Sequence, residues 1–502
     1  MDPTPYDTDS GQDRHAMKMR VARTLKWNVI DKVASQILYA VTGLILAWLL
    51  DQADFGLIGA ILVFQAFATM FVDSGFSYAL IQRKHPTQTD YSTILWFNIS
   101  AAIVIYVILF FCAPLIAEWF QNDRRIIPLS RVMFLTFIIN ATAIVQTNRL
   151  MKMMNVRLIA ISNSIALIAA AAAGISLAFA GAGPWALVWQ AVTLATVKSA
   201  ILWIGTGWTP SIEFSFASLR SFFRVGTGMM GATFLNILFQ NIYSFFIGNR
   251  TGMVPLGYYT QADKWSKMGI SSISSALSSS FLPALAQYQD TPTEFASATA
   301  KMNRLTSYLI FPACGIMIVI ATPAFHALFG HKWDASILLF QLLMFRGIFT
   351  VLTTIYQNFV MSLGQARMIV MSEVIRDSVA IAAIAVTLPY IAISRPGNLT
   401  EGIAIFLWGQ VAASIIAWGA MLWIASRRSG RTPWQFLTDS LPYAAESLLV
   451  VAVIMLFKGV TDNPWLLIAI QLTAGISLYM LINRLAGSRI QSDLVAYIRR
   501  KG

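Results

Sequence analysis

Residues 91–119 read YSTILWFNISAAIVIYVILFFCAPLIAEW. At about 1.5 Å of rise per residue, a helix of that length crosses the roughly 30 Å hydrocarbon core of a bilayer. Apolar runs of the same kind recur on both sides of it, near 28–50, 55–81, 126–150, 155–180, 184–206, 222–248, 255–286, 303–328, 335–363, 367–394, 400–426, 440–459 and 463–487. Together they make about fourteen spans. A transmembrane barrel would show segments of about ten residues with alternating polarity, and none appears. The spacing therefore predicts an all-α integral membrane protein. Composition agrees: of 502 residues, 57% are hydrophobic and 12% charged, about half the charge of a soluble domain, and the mean hydropathy is +0.64. A single aqueous core stops growing near roughly 250–300 residues. So much apolar surface needs lipid, which excludes a soluble enzyme, a disordered chain and a fibrous protein.

The 36 Lys and Arg against 23 Asp and Glu give a net charge of +13, with no basic tract suited to nucleic acid. Cys112 and Cys314 lie in apolar runs and read as small buried hydrophobes, outside any disulfide framework or metal motif. The opening MDPTPYDTDSGQD is acidic and lacks the apolar centre of a signal peptide, so residues 1–26 read as a cytoplasmic tail. Basic residues in short loops set the orientation. With both termini cytoplasmic, that side holds Arg83, Arg149, Lys152, Arg157, Arg220, Lys301, Arg304, Arg367, Arg427, Arg428 and the basic tail 488–502. The opposite loops keep Arg124, Arg125, Arg250, Lys332 and Arg395 beside Asp51, Asp54 and Asp123.

The chain also repeats itself. Gly56 in Asp54-Phe55-Gly56-Leu57 matches Gly257 in Pro255-Leu256-Gly257-Tyr258, and Pro114 with Phe120 matches Pro323 with Phe329. Asn148, Met151 and Arg157 match Asn358, Met361 and Arg367, and Gly183 with Trp189 matches Gly402 with Trp408. The shift grows from 201 to 219 residues without any change of order. This predicts two six-helix lobes in parallel orientation, 27–206 and 222–426, joined by a cytoplasmic linker at 207–221. Helices 13 and 14, at 440–487, form an appendix. Paired halves around a midplane site are a transporter plan.

Four stretches carry a family resemblance. The second span ends Val72-Asp73-Ser74-Gly75-Phe76-Ser77-Tyr78-Ala79-Leu80-Ile81-Gln82-Arg83, and the fourth leads into Asn148-Arg149-Leu150-Met151-Lys152. The sixth begins Gly181-Ala182-Gly183-Pro184-Trp185-Ala186-Leu187-Val188, and the eighth holds Leu256-Gly257-Tyr258-Tyr259. Over roughly 27–430 the chain resembles the polysaccharide transporters and oligosaccharide-lipid flippases (Wzx-like) of the multidrug/oligosaccharidyl-lipid/polysaccharide exporter superfamily. The resemblance implies a V-shaped arrangement of two lobes around a central cavity lined by helices 1, 2, 7 and 8. It also implies a flippase that moves undecaprenyl-pyrophosphate-linked oligosaccharide repeat units across the bacterial inner membrane by alternating access, for exopolysaccharide, capsule or O-antigen synthesis. Its implied partners are that lipid-linked substrate, membrane lipids, a polysaccharide polymerase and export machinery.

Polar groups at membrane depth are costly and are functional candidates by default. In the eighth span Lys264, Lys267, Ser271, Ser274 or Ser275, and Ser278 recur at three- and four-residue steps, which places them on one helix face. Lys32 and Gln36 in the first span, Asn236 and Gln240 in the seventh and Arg346 in the tenth extend the set. The predicted substrate contacts are thus Lys32, Gln36, Asn236, Gln240, Lys264, Lys267, Ser271 and Arg346. Hydroxyls and amides alone also serve to glue helices together; the lysines tip the reading toward a wetted cavity and an anionic cargo. Asp73 is the candidate carrier of a coupling proton or sodium ion, against a reading as a capping residue near the membrane surface. Glu373, Arg376 and Asp377 read as a structural ion-pair cluster. His326 and His331 have no ligand-spaced partner, and no metal, cofactor or catalytic residue is predicted.

Two other readings stay open. An ion-coupled drug exporter of the same superfamily would favour acidic cavity residues. A polymerase or ligase would need a large external loop for catalytic groups, whereas no external loop exceeds roughly a dozen residues, near the length of plain connections; the chain is not expected to be an enzyme.

Overall fold

A computed structural model describes residues 10–73, 76–83, 85–393, 400–493 and 496. Among the described residues helices dominate and no strand occurs. The chain divides into two compact units, Met1–Met253 and Val254–Gly502.

The first unit holds α1 (Ser10–Leu49), α2 (Gln52–Asp73), α3 (Phe76–Gln82), α4 (Gln88–Trp119), α5 (Ile126–Met133), α6 (Leu135–Lys152), α7 (Val156–Phe179), α8 (Trp185–Thr206) and α9 (Phe216–Thr251). Residues 10–26, read as part of a tail, thus continue α1. The fourth predicted span is divided at Phe134, whose N–H still donates to the Ser130 carbonyl at 2.8 Å. α7 packs on α8 and α1, α6 on α8, α4 on α6, and α2 on α9. The buried faces of α7 and α8 carry Ala160, Ala166, Ala170, Gly174, Ala186 and Ala195. Small residues let two backbones approach closely, which is how helices attract where lipid removes the hydrophobic drive. Phe111, Ile168, Phe179 and Ile204 stand outward and exposed, the side chains a hydrocarbon solvent accepts.

The second unit holds α10 (Met253–Ala286), α11 (Pro292–Phe329), α12 (Asp334–Ser362), α13 (Ala366–Thr387), α14 (Glu401–Arg428), α15 (Pro433–Met455) and α16 (Pro464–Leu485). A short 3-10 turn, His331–Trp333, joins α11 to α12. α11 is central, packing on α12, α15 and α16, while α14 covers α12 and α13. The last two helices are docked by buried polar groups. Asn303 donates to the Phe436 carbonyl at 3.0 Å and to Ser440 at 3.1 Å, and accepts the Tyr356 hydroxyl at 2.9 Å. The Tyr479 hydroxyl donates to the Tyr308 carbonyl at 3.0 Å. Pairing of this kind is what buried polar side chains require.

Most predicted spans coincide with a single helix, whereas 55–81 runs over α2 and α3 and 126–150 over α5 and α6. Eleven stretches among the described residues have the length and apolarity of a membrane crossing. Of the helices long enough to cross, α9, α10 and α13 lie outside that set. α9 carries Asn236, Gln240 and Asn241; α10 carries lysines and a run of serines; α13 carries Arg367, Glu373, Arg376 and Asp377. The count of fourteen spans therefore rests on these three polar helices.

Candidate functional site

α10 positions three of the predicted contacts. One side of it is pinned by apolar and backbone contacts: the Tyr258 carbonyl accepts the Ser336 hydroxyl at 2.9 Å, and Tyr258 meets the buried Trp333 ring edge-on at 6.0 Å. Trp265 lies against Phe329 at 5.3 Å. Elsewhere around the helix Lys264 is half-buried while Lys267 and Ser271 are exposed. Lys267 is ion-paired one turn back, its Nζ 2.6 Å from Asp263 Oδ2. Lys264 has the Trp265 ring beside it, Nζ to centroid 5.5 Å, and no carboxylate within ion-pair distance among the described residues. α12 meets α10 at Gly347, where a Cβ would collide with the Ile270 side chain. The glycine permits that approach, and the half-buried Arg346 precedes it on α12. Arg346 likewise has no carboxylate partner among the described residues.

The serines of α10 turn mainly to their own helix. Ser266 donates to the Asp263 carbonyl, Ser272 to that of Met268, Ser275 to that of Ser271, and Ser279 to that of Ala276. Such back-bonding leaves the hydroxyl lone pairs facing outward from the helix. Ser278 is the contrast, accepting Asn358 Nδ2 at 2.8 Å across to α12.

In the first unit Lys32 and Gln36 lie one turn apart on α1, Lys32 exposed and Gln36 half-buried. On α9 Gln240 donates its side-chain amide to Asn236 Oδ1. Asp73 closes α2, and its side chain lies outside the described residues. The structure thus places Lys264, Lys267 and Ser271 on α10 and Arg346 on α12 of the second unit, and in the first it pairs Asn236 with Gln240 and sets Lys32 one turn from Gln36.

Some partners were absent from the sequence reading. Asp263 stands four residues before Lys267, and that i,i+4 spacing was the available signal. Asp31 accepts both from Asn163 of α7, at 3.1–3.2 Å, and from Ser35 at 3.3 Å; no local spacing announces Asn163. The 207–221 segment is fastened to the first turns of α4. Trp208 donates to Gln88 at 2.7 Å, Ser211 to Ser92 at 2.9 Å, Ser215 to Thr93 at 3.0 Å, and Thr89 to Glu213 at 2.7 Å. Asp90 anchors this clasp. Its carboxylate accepts from Arg83 at 3.0 Å, from the Thr87 N–H at 2.8 Å in a capping box, and from the Ser218 hydroxyl. A cavity of about 350 Å³ opens beside Arg83, Asp90 and Ser221. On α13 the Arg376 guanidinium reaches Glu373 and, at 2.9 Å, Asp377, while Gln357 donates to Glu373 at 2.6 Å, an ion-pair cluster within one turn.

These features define a class: an α-helical protein that crosses the membrane many times, with a few polar helices, the lysine- and serine-bearing α10 among them, beside apolar ones. Residues 45–338, more than half the chain, match the family described as polysaccharide biosynthesis protein, and the chain belongs to that family. It is 25% identical over 441 residues to the succinoglycan biosynthesis transport protein ExoT of Rhizobium meliloti (strain 1021), an alignment covering 87% of each chain. It is 26% identical over 331 residues to the lipopolysaccharide biosynthesis protein WzxC of Escherichia coli (strain K12), covering 64% of this chain and 66% of that one. In fold it is similar to the lipid II flippase MurJ in an inward closed conformation, with a TM-score of 0.71, 15% identity, and 93% of this chain and 100% of that chain covered.

Proposed function

We propose that the protein is a flippase carrying an undecaprenyl-pyrophosphate-linked oligosaccharide repeat unit from the cytoplasmic to the outer leaflet of the bacterial inner membrane. Both termini lie in the cytoplasm, and the product passes to a polymerase and export machinery. Membership of the family, the transport and biosynthesis roles named for its relatives, and the fold it has in common with a lipid II flippase all support this reading. The observation that carries it is the charge on α10 and α12, where Lys264 and Arg346 have no carboxylate partner among the described residues of a membrane-embedded unit.

The physical task is to take a sugar and two phosphates through hydrocarbon while the polyprenyl tail stays in lipid. Lobes 27–206 and 222–426 rock about a central cavity, open first inward and then outward. Lys264, with Lys32, Lys267 and Arg346, neutralises the pyrophosphate or an acidic sugar. Lysine suits a cargo that must leave, because it is a compact point charge rather than a bidentate fork. Gln36, Asn236, Gln240 and Ser271 hydrogen-bond the sugar, and Asp73 carries the coupling ion. The transported molecule keeps all its covalent bonds, and the dominance of cations over acids on these helices disfavours a cationic drug as cargo.

A deletion strain tests the proposal. It should lose surface polysaccharide and accumulate lipid-linked repeat units on the cytoplasmic leaflet, both reversed by the restored gene. Undiminished surface polysaccharide refutes the reading, and accumulation on the outer leaflet assigns the block to polymerisation instead.

A further inference from the structure

Gly330 ends α11 with φ 75°, in the left-handed region that favours glycine. The chain turns back there, and the short His331–Trp333 turn brings His331 over His326, with ring centroids 4.3 Å apart. His326 Nε2 lies 3.0 Å from Asp334 Oδ1, and His331 Nδ1 lies 3.4 Å from Asp334 Oδ2. One ligand atom from each of the three residues falls within 4.8 Å of the others. In a tetrahedral zinc site with bonds of about 2.0–2.1 Å, ligand atoms stand roughly 3.3 Å apart. The three groups therefore need only small side-chain rotations to share one ion.

We propose that His326, His331 and Asp334 form a binding site for a divalent cation of the zinc class at the junction of α11 and α12, on the outward side in the orientation proposed above. Two imidazoles and one carboxylate are a donor set for zinc and its neighbours in the first transition row, whereas calcium and magnesium favour sites built from oxygen. The scaffold beneath the ligands is firm. Trp333 is fully buried against Tyr258, and Phe329 is held between Phe325 and Trp265. His326 also lines a cavity of about 290 Å³ with Gln341, Lys458 and Asp462, which gives water or an anion access to the remaining coordination position. An ion held by all three residues staples the last turn of α11 to the first turn of α12 across Gly330.

The test uses tag-free, full-length protein in detergent, titrated with Zn²⁺ by calorimetry and with Co²⁺ by its visible absorption, and with Mg²⁺ as control. The chain has only four histidines, so the background is small. One Zn²⁺ per chain is expected, with a tetrahedral Co²⁺ spectrum and no Mg²⁺ signal. His331→Gln and Asp334→Asn, both at exposed positions, should each weaken binding by at least about tenfold while melting like the parent in the absence of metal. No Zn²⁺ binding by the folded parent, or equal binding by parent and both variants, overturns the proposal and leaves the cluster as imidazole–carboxylate hydrogen bonds. Export of polysaccharide is not the readout, so this result stands apart from the transport reading.

Discussion

Where α4 meets the 207–221 segment, Gln88, Thr89, Asp90, Ser92 and Thr93 each hold a partner from that segment or from Ser218. Along α10, by contrast, most serine hydroxyls bond back to their own helix, Lys267 has Asp263, and Lys264 has an aromatic ring but no carboxylate among the described residues. Both regions are rich in polar side chains, and they differ in how completely those side chains answer one another. A satisfied network rigidifies, and removing a member exposes the others to desolvation without compensation. An incompletely satisfied one is retained at a cost, which is what a binding surface does before its ligand arrives. The contrast teaches that polarity within a membrane protein is not by itself a sign of a transport path; the state of pairing is.

The sharpest way to break this comparison is to remove the anchor of the clasp. Asp90→Ala deletes a capping acceptor, the Arg83 pair and the Ser218 bond at a buried position. Arg83 is partly exposed, so the loss is smaller than for a fully buried pair: about 2–3 kcal/mol of stability. It should appear as a lower melting temperature in detergent and reduced abundance in membranes. A variant that melts and accumulates like the parent would show that the clasp is incidental.

A smaller effect, on export and not on stability, is expected at the other pole. Lys264→Gln should insert and melt normally yet reduce surface polysaccharide at least about tenfold, equivalent to roughly 1.4 kcal/mol in the transport step. Lys264→Arg should do partial harm. Lys267→Gln should cost less than Lys264→Gln, because Asp263 already offsets the Lys267 charge. Equal export by both Gln variants and the parent, with quantified protein levels, would make the α10 stripe a packing feature and sink the cationic-cavity mechanism.

How far these regions were legible follows from the range of the interactions involved. The helical, membrane-spanning nature of the chain depends on run length and average polarity, which are local and additive, so residues such as 91–119 declare it alone. The α13 cluster was legible for the same reason: Glu373, Arg376 and Asp377 lie within one turn, and helix geometry brings them together. The i,i+4 pair Asp263–Lys267 was equally accessible from spacing. Other contacts depend on tertiary placement. The partners of Asp31 and Asp90 come from positions 132 and 128 residues away in the chain, and no periodicity encodes which helix will lie alongside. The meeting of His326, His331 and Asp334 depends on a single backbone reversal at Gly330, which turns a spacing unsuited to one helix face into a cluster. A segment such as 207–221 reads as a spacer because its serines and threonines are turn formers, and only the packing of α4 reveals what they hold.

The smallest expected effect lies at a third kind of polar group, paired but outside the membrane. Between α4 and α5 the Arg125 side chain donates twice to Asp123, from Nε at 3.0 Å and from Nη2 at 2.7 Å, and its backbone N–H adds a bond at 3.1 Å. The Arg125 side chain hydrogen bonds hold the Asp123 carboxyl below its ordinary range, against a smaller opposing effect of burial. A carboxyl with a lowered folded-state pKa adds stability above its unfolded value, near 3.9, and loses that contribution as pH falls through the folded value. Because the guanidinium is 56% exposed, water and salt screen the pair, and its worth is about half a kcal/mol. Asp123→Asn should therefore lower the melting temperature slightly and by a constant amount from pH 8 to pH 5. The gap between variant and parent should close below about pH 4 as the parent's carboxylate protonates, and it should shrink at high salt at any pH. A gap that widens on acidification, or one as large as that of Asp90→Ala, would mean that a paired group at the membrane's edge stabilises the fold as strongly as the clasp, and the distinction drawn between the regions would fail.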